Sequence, residues 1–554
     1  MDISRANIKL FVVVPALLAL ICGPLRAAPE DRTVILKTSM SSMAVTTGLG
    51  ATALSTSPTP AGADAIQISL PVCVQRALAR NKQLAVHKLD PDIAVARVMI
   101  EQGAFDHVFT LNRNKQHSET PTGSKLDGAD VSIRDTKTAN FGIQSKERIG
   151  TLQSLALNNQ FLQTNSAFQS LNPQFTSNLV YNLTQPLLRN FGTKVNTANL
   201  RIAINGVRQN DLRLKKFVLD TVSTVERQYW DLVFARQDRD VKRFSLAAAN
   251  ELLGFNQRRQ EVGVGSEVEV LEARATAAAR QQDLEVSFHV VSDAEEILRH
   301  LIALDDVPPG TEIFPKDAPP HMPARVNLAR ALQTAFERRP DYRDLLIELK
   351  NRHIHLAFLK NQRLPRVDLV ASYAQNGVAG SRDTALDQVT ALTFPAYTIG
   401  VQIEVPLENR TARGGYREGL LEVKQAILNV RAIQDQIEED VSRAVRGLDT
   451  DLRRVEVAKL AQDLSAQQLR AAESRFREGL IPNIDLLRFQ QDLANARSTA
   501  IRAVVDAIKD GINLEAATGV LLDARRITVD QLPQPPELEG PINHPLVRDD
   551  SDAE

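Results

Sequence analysis

The stretch Gly263–Leu271, which reads GVGSEVEVL, is matched later in the chain by Gly479–Leu487, which reads GLIPNIDLL. Other segments match in the same order and at similar spacing, and the clearest are Ile68–Arg80 with Val326–Arg338 and Pro186–Leu187 with Pro406–Leu407. Two ordered sets of matches indicate one unit that is present twice. The sequence therefore predicts a first repeat over residues 66–304 and a second over residues 324–524.

The repeated stretches lie between long segments with helical character. No proline occurs between Pro186 and Pro308 or between Pro406 and Pro482, and such runs favour uninterrupted helices because proline lacks the backbone N–H that a helix needs. At 1.5 Å per residue, a helix from about Asn196 to Gln257 would be roughly 90 Å long. Apolar residues recur at helical spacing at Val218, Val222, Val225, Tyr229, Leu232 and Val233, and at Ile427, Val430, Ile437, Val441, Ala444 and Leu448. Such amphipathic helices need lateral partners, as in coiled coils.

Segments ahead of each long helix alternate between apolar and polar residues, as strands do. The principal ones are Phe105–Leu111, Leu179–Thr184, Val367–Tyr373 and Tyr397–Val405. Alternation alone fits a soluble sheet and a transmembrane barrel equally well. A further hairpin, Phe141–Gly150 with Leu152–Phe161, lies between the two strands of the first repeat and is interpreted as an enlarged external loop.

Four strands are too few to close a barrel, and an open sheet edge exposes amides that hydrocarbon cannot satisfy. Three chains with four strands each would supply twelve, an even number within the range of closed membrane barrels. The predicted fold is therefore an α+β membrane protein. It is a trimeric, twelve-stranded transmembrane β-barrel continued by a long α-helical barrel, with two structural repeats per chain.

The two ends of the chain differ from the repeats in composition. Residues 1–27 are interpreted as a signal peptide, with Arg5 and Lys9 before an apolar run, and a lipidated Cys22 is the alternative. Residues 28–65 are expected to be a disordered leader, residues 305–323 a Pro-rich connector and residues 525–554 a Pro-rich acidic tail. Cleavage of the signal leaves Cys73 alone, and its apolar neighbours predict a buried packing role.

The composition predicts few functions by itself. The formal net charge is −1 and the sequence pI is about 6.8, so no nucleic-acid partner is predicted. No apolar run after the N-terminus is long enough for a spanning helix, so strands would have to cross any membrane. Phosphate-binding, nucleophile and zinc-protease motifs are missing, and His353 and His355 would point to different faces of a helix. We predict no enzymatic activity, cofactor or metal.

Several motifs carry a resemblance to one family, namely ALARN at 77–81, GAFD at 103–106, LTQPLLRNFG at 183–192, YWDL at 229–232 and the two turns at 263–271 and 479–487. In their order and duplication, the chain from about Ile66 to Leu522 resembles the TolC-like outer membrane efflux protein family. The resemblance implies a homotrimeric, passive exit duct in the outer membrane of a Gram-negative-type cell, with its helices in the periplasm. It also implies coupling to an inner-membrane transporter through a periplasmic adaptor, in an efflux or type I secretion system, and contact with outer membrane lipid.

In that family the helix-to-helix turns form a closed periplasmic entrance, and Asp485 matches an acidic position that faces the pore. The chain departs from the pattern at three gate positions, where it has Phe476, Ile481 and Arg488. Glu269 and Glu272 occupy the corresponding acidic places of the first repeat. We hypothesise a mixed ring of these charges, closed partly by the two apolar residues. The alternative is that all are solvated turn residues.

The turns themselves predict a second role. Gly263 and Gly479 are expected to adopt positive φ where each helix reverses, and Ser266 and Asn483 to cap the returning helices. These turns, marked by Gly263, Gly265, Gly479 and Pro482, are the expected docking surface for an adaptor hairpin.

Two other interpretations remain open from the sequence, a periplasmic coiled-coil structural protein and an adaptor of the same export machine. An adaptor should carry one helical hairpin, whereas this chain predicts two. The sequence does not select a cargo, since drugs, metals, polysaccharides and proteins all fit a duct.

Overall fold

A computed structural model describes residues 65–123, 128–308, 310–319, 322 and 324–529. The predicted signal peptide with Cys22, the leader up to residue 64 and the tail from residue 530 lie outside the described residues. The strands are β1 Ile66–Ile68, β2 Val108–Pro121, β3 Val131–Lys146, β4 Leu152–Thr164, β5 Gln174–Pro186, β6 Ile313–Pro315, β7 Arg366–Ala379 and β8 Phe394–Glu404. The helices are α1 Leu70–Arg80, α2 Lys82–His87, α3 Asp90–Gln102, α4 Thr193–Asn196, α5 Ala198–Glu261, α6 Glu267–Leu301, α7 Leu328–Arg338, α8 Pro340–Gln362, α9 Arg382–Thr390, α10 Arg410–Arg477, α11 Asn483–Ala517 and α12 Leu521–Ala524.

Two helical hairpins dominate the described part of the chain. In the first, α5 has 64 residues and α6 has 35, and in the second, α10 has 68 residues and α11 has 35. The predicted long helix beginning near residue 196 is confirmed, since α5 is roughly 95 Å long at 1.5 Å per residue. Within the described residues, no helix combines the length and the apolar character needed to cross a membrane.

The largest hydrophobic core forms around the middle of α5. Val218, Val225 and Leu232 are fully buried there, which confirms the predicted apolar stripe of this helix. Cys73 of α1 is fully buried in the same cluster, and burial raises the pKa of its thiol to about 12, so the predicted packing role is confirmed. The hydroxyl of Tyr229 donates to Asp317 Oδ2 at 2.7 Å, which ties α5 to the segment between the repeats.

Six strands form one antiparallel sheet in the order β2-β3-β4-β5-β7-β8. The predicted strands over 179–184, 367–373 and 397–405 correspond to β5, β7 and β8. The first strand begins at Val108 rather than at Phe105, because Gly103–Phe105 forms a 3₁₀ turn.

The interpretation of the further hairpin as an external loop is wrong. Its two strands, β3 and β4, are hydrogen-bonded between β2 and β5, so each chain contributes six strands to the sheet and not four. The turn between them, residues 147–151, lies against the segment that leads from β5 into the helices, where the N–H of Gly192 donates to the carbonyl of Ile149 at 3.0 Å. The hairpin therefore reverses at the helical end of the sheet.

The segment between the two predicted repeats also forms a strand. Ile313–Pro315 (β6) pairs in parallel with Ile66–Ile68 (β1). Ile313 is fully buried in the main core, so this part of the Pro-rich segment packs against α5 and does more than connect two halves.

Candidate functional site

The two helix-to-helix turns have the same backbone geometry. Gly263 has φ of +82° and Gly479 has φ of +75°, which confirms the predicted positive φ at both positions. The N–H of Gly263 donates to the carbonyl of Gln260, and the N–H of Gly479 donates to that of Phe476. The next residue in each turn donates to a carbonyl five residues earlier, which completes a Schellman motif at the end of both α5 and α10.

Capping of the returning helices differs between the turns. The Ser266 side chain accepts from the Val268 N–H and Glu269 closes a capping box, as predicted for Ser266. The prediction that Asn483 caps α11 is wrong, since Pro482 occupies the cap position. The side chain of Asn483 is instead buried, and its Nδ2 donates to the carbonyl of Glu269 at 3.5 Å.

The structure brings the two turns together. The amides of Asn256 and Asn483 both donate to the carbonyl of Glu269, which joins α5 and α11 to the first turn of α6. A hydrophobic cluster beneath the turns contains Leu252, Ala472, Leu486 and Leu487, with Leu469, Phe476, Ile481 and Phe489 packed against it. Phe476 and Ile481, predicted to help close a gate, thus pack inside one chain, and the Phe476 ring lies 5.8 Å from that of Phe255 between centroids.

The charged residues of the predicted ring differ in whether they have partners within the chain. Glu269 is held by its capping box and lies 3.9 Å from an Arg259 nitrogen, so its carboxylate has partners within the chain. Glu272, Asp485 and Arg488 form no ion pair with any described residue. Arg488 is exposed and the two acids are half-buried. These three charged groups thus differ from Glu269, whose carboxylate is held within the chain.

An apolar surface surrounds the turns, and sequence reasoning missed it. Six large apolar side chains are more than half exposed there, namely Val262, Val264, Val268, Leu271, Leu480 and Ile484. We call these six residues the apolar turn surface. Exposed apolar groups in such number mark a contact surface. The sequence signal was present, because valine, leucine and isoleucine occupy exposed positions in and beside the turns that polar residues normally fill.

Ion pairs fix the helices that carry the turns. Arg525, just after α12, donates to both carboxylate oxygens of Glu226 at 2.6 and 2.9 Å, although Glu226 is fully buried. Arg339 bridges Asp341 and Asp440. Burial alone would raise the pKa of the Asp341 carboxyl, but its hydrogen bond and ion pair with Arg339 hold that pKa below its usual range. Among the described residues, no three His, Cys, Asp or Glu side chains are arranged to hold a metal ion.

Comparison with known proteins assigns this geometry to a family. The model of the outer membrane efflux protein family matches residues 73–302 and 331–520. The outer membrane efflux protein BepC of Brucella suis biovar 1 (strain 1330) is 26% identical over 356 residues, which cover 63% of this chain and 72% of BepC. The chain belongs to the outer membrane efflux protein family, because the family model spans most of its length.

Solved channel structures share the fold. The CmeC outer membrane channel of Campylobacter jejuni matches with a TM-score of 0.58 and 16% identity, over 82% of this chain and 86% of CmeC. The outer membrane protein VceC of Vibrio cholerae matches with a TM-score of 0.58 and 15% identity, over 81% of this chain and 96% of VceC. Family membership makes this protein an outer membrane efflux channel whose helical part lies in the periplasm, and it favours a channel over a structural coiled coil or an adaptor.

Proposed function

We propose that the protein is one subunit of a homotrimeric exit duct, in which the six-stranded sheet crosses the outer membrane as part of a closed β-barrel and the long helices form a periplasmic tube. A periplasmic adaptor binds the turns and couples the duct to an inner-membrane transporter. Transport through the duct is passive, and the transporter supplies the energy.

The open edges of the sheet are the observation that carries the proposal. β2 and β8 are the outermost strands, and each has only one hydrogen-bonded neighbour. Hydrocarbon cannot satisfy the remaining N–H and C=O groups, so a sheet in a membrane must be closed. Because the sheet has six strands that alternate in direction, β8 of one copy runs antiparallel to β2 of the next, which lets identical chains join edge to edge.

The number of strands in the barrel depends on how many strands of each chain cross the membrane. Three chains would give the twelve strands predicted from sequence only if β3 and β4 left the sheet and β2 paired directly with β5. They would give eighteen if the β3–β4 hairpin crosses as well. Both numbers are even and within the range of outer membrane barrels.

The duct itself is tested by ion conductance. Purified protein is expected to give discrete channel currents in planar bilayers, and the absence of current would contradict the proposal. Three copies of Asp485 near the axis would attract cations, so Asp485→Ala is expected to lower the cation-to-anion permeability ratio and Arg488→Ala to raise it. Glu267→Gln, an exposed acid at the start of α6, is the matched control that should leave the ratio unchanged. Equal ratios in all variants would remove the gate assignment but not the channel.

Adaptor docking is tested on the apolar turn surface. Val264 is 66% exposed and Leu480 is 68% exposed, so Val264→Glu and Leu480→Glu should leave the fold intact. Each places a charge in the proposed contact, and we expect at least a tenfold loss of adaptor affinity, since about 1.4 kcal/mol gives a factor of ten. Co-purification with the cognate adaptor measures the loss. Phe168→Glu, an equally exposed site at the other end of the sheet, should bind normally. Unimpaired binding by both turn variants would place the docking surface elsewhere.

A further inference from the structure

The β3–β4 hairpin carries the same two-faced pattern as the four strands predicted from sequence. Cross-strand partners in an antiparallel pair point to the same face of the sheet. One row of successive partners crosses all six strands, and it consists of Phe109, Ile143, Leu155, Tyr181, Tyr373 and Tyr397. The row beside it is Leu111, Phe141, Leu157, Leu179 and Gln375. The apolar band thus runs without a break through the hairpin.

The opposite face is polar along the same strands. A row of five asparagines consists of Asn112, Asn140, Asn158, Asn178 and Asn376, each the direct partner of the next. A second row consists of Gln144, Ser154, Asn182, Ser372 and Thr398. Within it, the Ser372 hydroxyl donates to Asn182 Oδ1 at 2.8 Å. The hairpin therefore supplies members to both polar rows as well as to the apolar band.

On the apolar face, the band is followed on five strands by a row of small and polar residues. The next row outward from the helices is Arg113, Ala139, Asn159, Ser177 and Gly377. Over β7 the short helix α9 covers this level, because a Cβ at Gly377 would overlap the backbone of Ala385. The row after it has lysines on β2 and β3 and aromatic rings on β4 and β5, and it consists of Lys115, Lys137, Phe161, Phe175 and Ala379. Charged side chains and aromatic rings beyond the band are typical of the interface that limits a hydrocarbon layer.

The connections also follow the pattern of a membrane wall. Outer membrane barrels have short turns at the periplasmic end and longer loops outside. The β3–β4 turn occupies only residues 147–151, at the helical end. At the other end, the connections over 122–130, 165–173 and 380–393 are each longer. An external loop would not return to the helical end of the sheet.

We infer that the β3–β4 hairpin is part of the lipid-facing wall, so that three chains close an eighteen-stranded barrel. Its outer band, formed by Phe141, Ile143, Leu155 and Leu157, contacts lipid acyl chains, and its asparagine row faces the lumen. Because barrel diameter grows roughly linearly with strand number, the lumen is about one and a half times as wide as that of a twelve-stranded barrel. The duct thus suits bulkier polar cargo at its outer end. The inference rests on the proposed function that the sheet spans the outer membrane.

Tryptophan fluorescence in brominated lipid tests the inference. The chain has a single tryptophan, and Trp230 is buried in the helical core, so added tryptophans report on the sheet. In vesicles of lipids brominated on their acyl chains, Phe141→Trp is expected to lose most of its added fluorescence. Leu155→Trp on β4 is the second variant, should the first fail to assemble. Asn140→Trp, the neighbouring residue on β3 that faces the lumen, is expected to keep its fluorescence.

Tyr397→Trp on β8 distinguishes a hairpin that lies outside the barrel wall from a sheet that does not contact lipid at all. If Tyr397→Trp is quenched while Phe141→Trp and Leu155→Trp are not, the hairpin lies outside the wall and the inference is overturned, although the duct stands. If none of the three is quenched, the sheet does not contact lipid and the proposed function falls. Quenching of Asn140→Trp in place of Phe141→Trp would reverse the assignment of the faces and also overturn the inference.

Discussion

Replacing Arg525 with alanine is expected to destabilise the helical part by about 3 kcal/mol, because the substitution leaves a buried carboxylate without its cation. The side chain of Glu226 is 1% exposed, and Arg525 supplies two hydrogen bonds to it as well as the charge. A carboxylate that remains charged in such a place has no water to replace the lost partner. Thermal unfolding of the detergent-solubilised protein, followed by circular dichroism of the helices, measures the loss.

The control is the removal of the other partner. In Glu226→Gln the Arg525 guanidinium keeps Glu515 as a partner, since Glu515 Oε2 lies 3.0 Å from Arg525 Nη2. The Arg525 side chain is also one third exposed, so water can reach it. The loss of stability should therefore be smaller than in Arg525→Ala. The double variant Glu226→Gln with Arg525→Ala should recover part of the stability lost by Arg525→Ala alone. A melting temperature for Arg525→Ala equal to that of the unchanged protein would show that the pair contributes nothing.

The helices and principal strands were predictable because their signals are local. A long run without proline and a stripe of apolar residues at helical spacing are sufficient to define α5. The predicted residues of the stripe are all buried, namely Val218, Val222, Val225, Tyr229, Leu232 and Val233. The positive φ of Gly263 and Gly479 follows from the same kind of signal, a glycine at the end of a helix.

The hairpin was misplaced because alternation fixes the faces of a strand but not its neighbours. Phe141 and Ile143 alternate with Asn140 and Gly142, so the sequence marks β3 as a two-faced strand. Its pairing with Leu155 and Leu157 of β4, and then with β5, is a property of the sheet register. The external-loop interpretation followed from counting only the four principal strands, and alternation alone could not show that the hairpin pairs between β2 and β5.

The candidate gate was predictable only in its backbone. The position of Asn483 in the sequence suits a cap, but the approach of α6 from the first hairpin gives its amide the carbonyl of Glu269 as a partner. Likewise, nothing local shows that Phe476 packs on Phe255. The partnership of Glu226 with Arg525 joins residues 299 positions apart, which no window of sequence can relate.

Replacing Gly150 with alanine is expected to impair assembly of the barrel strongly. Gly150 has φ of +101°, and a Cβ there would overlap the carbonyl oxygen of Asn190 and come within 2.7 Å of the Asn196 side chain. The backbone conformation alone costs about 1–3 kcal/mol for a residue other than glycine. The overlap adds about 1–3 kcal/mol, because backbone rather than a flexible side chain must move. Heat-modifiable, folded protein in outer membrane fractions is therefore expected to fall sharply.

Gly192→Ala separates the two causes. Gly192 has φ of +96°, nearly that of Gly150, but a Cβ there meets nothing within 4 Å. Both substitutions place alanine at a similar positive φ, and only Gly150→Ala forces the β3–β4 turn away from the segment that leads into α5. If the two variants assemble equally well, the barrel forms without the close contact between the β3–β4 turn and the segment that leads into α5. The hairpin is then free to leave the helical end of the sheet. If only Gly150→Ala fails, the contact that places β3 and β4 in the wall is required for the barrel to form.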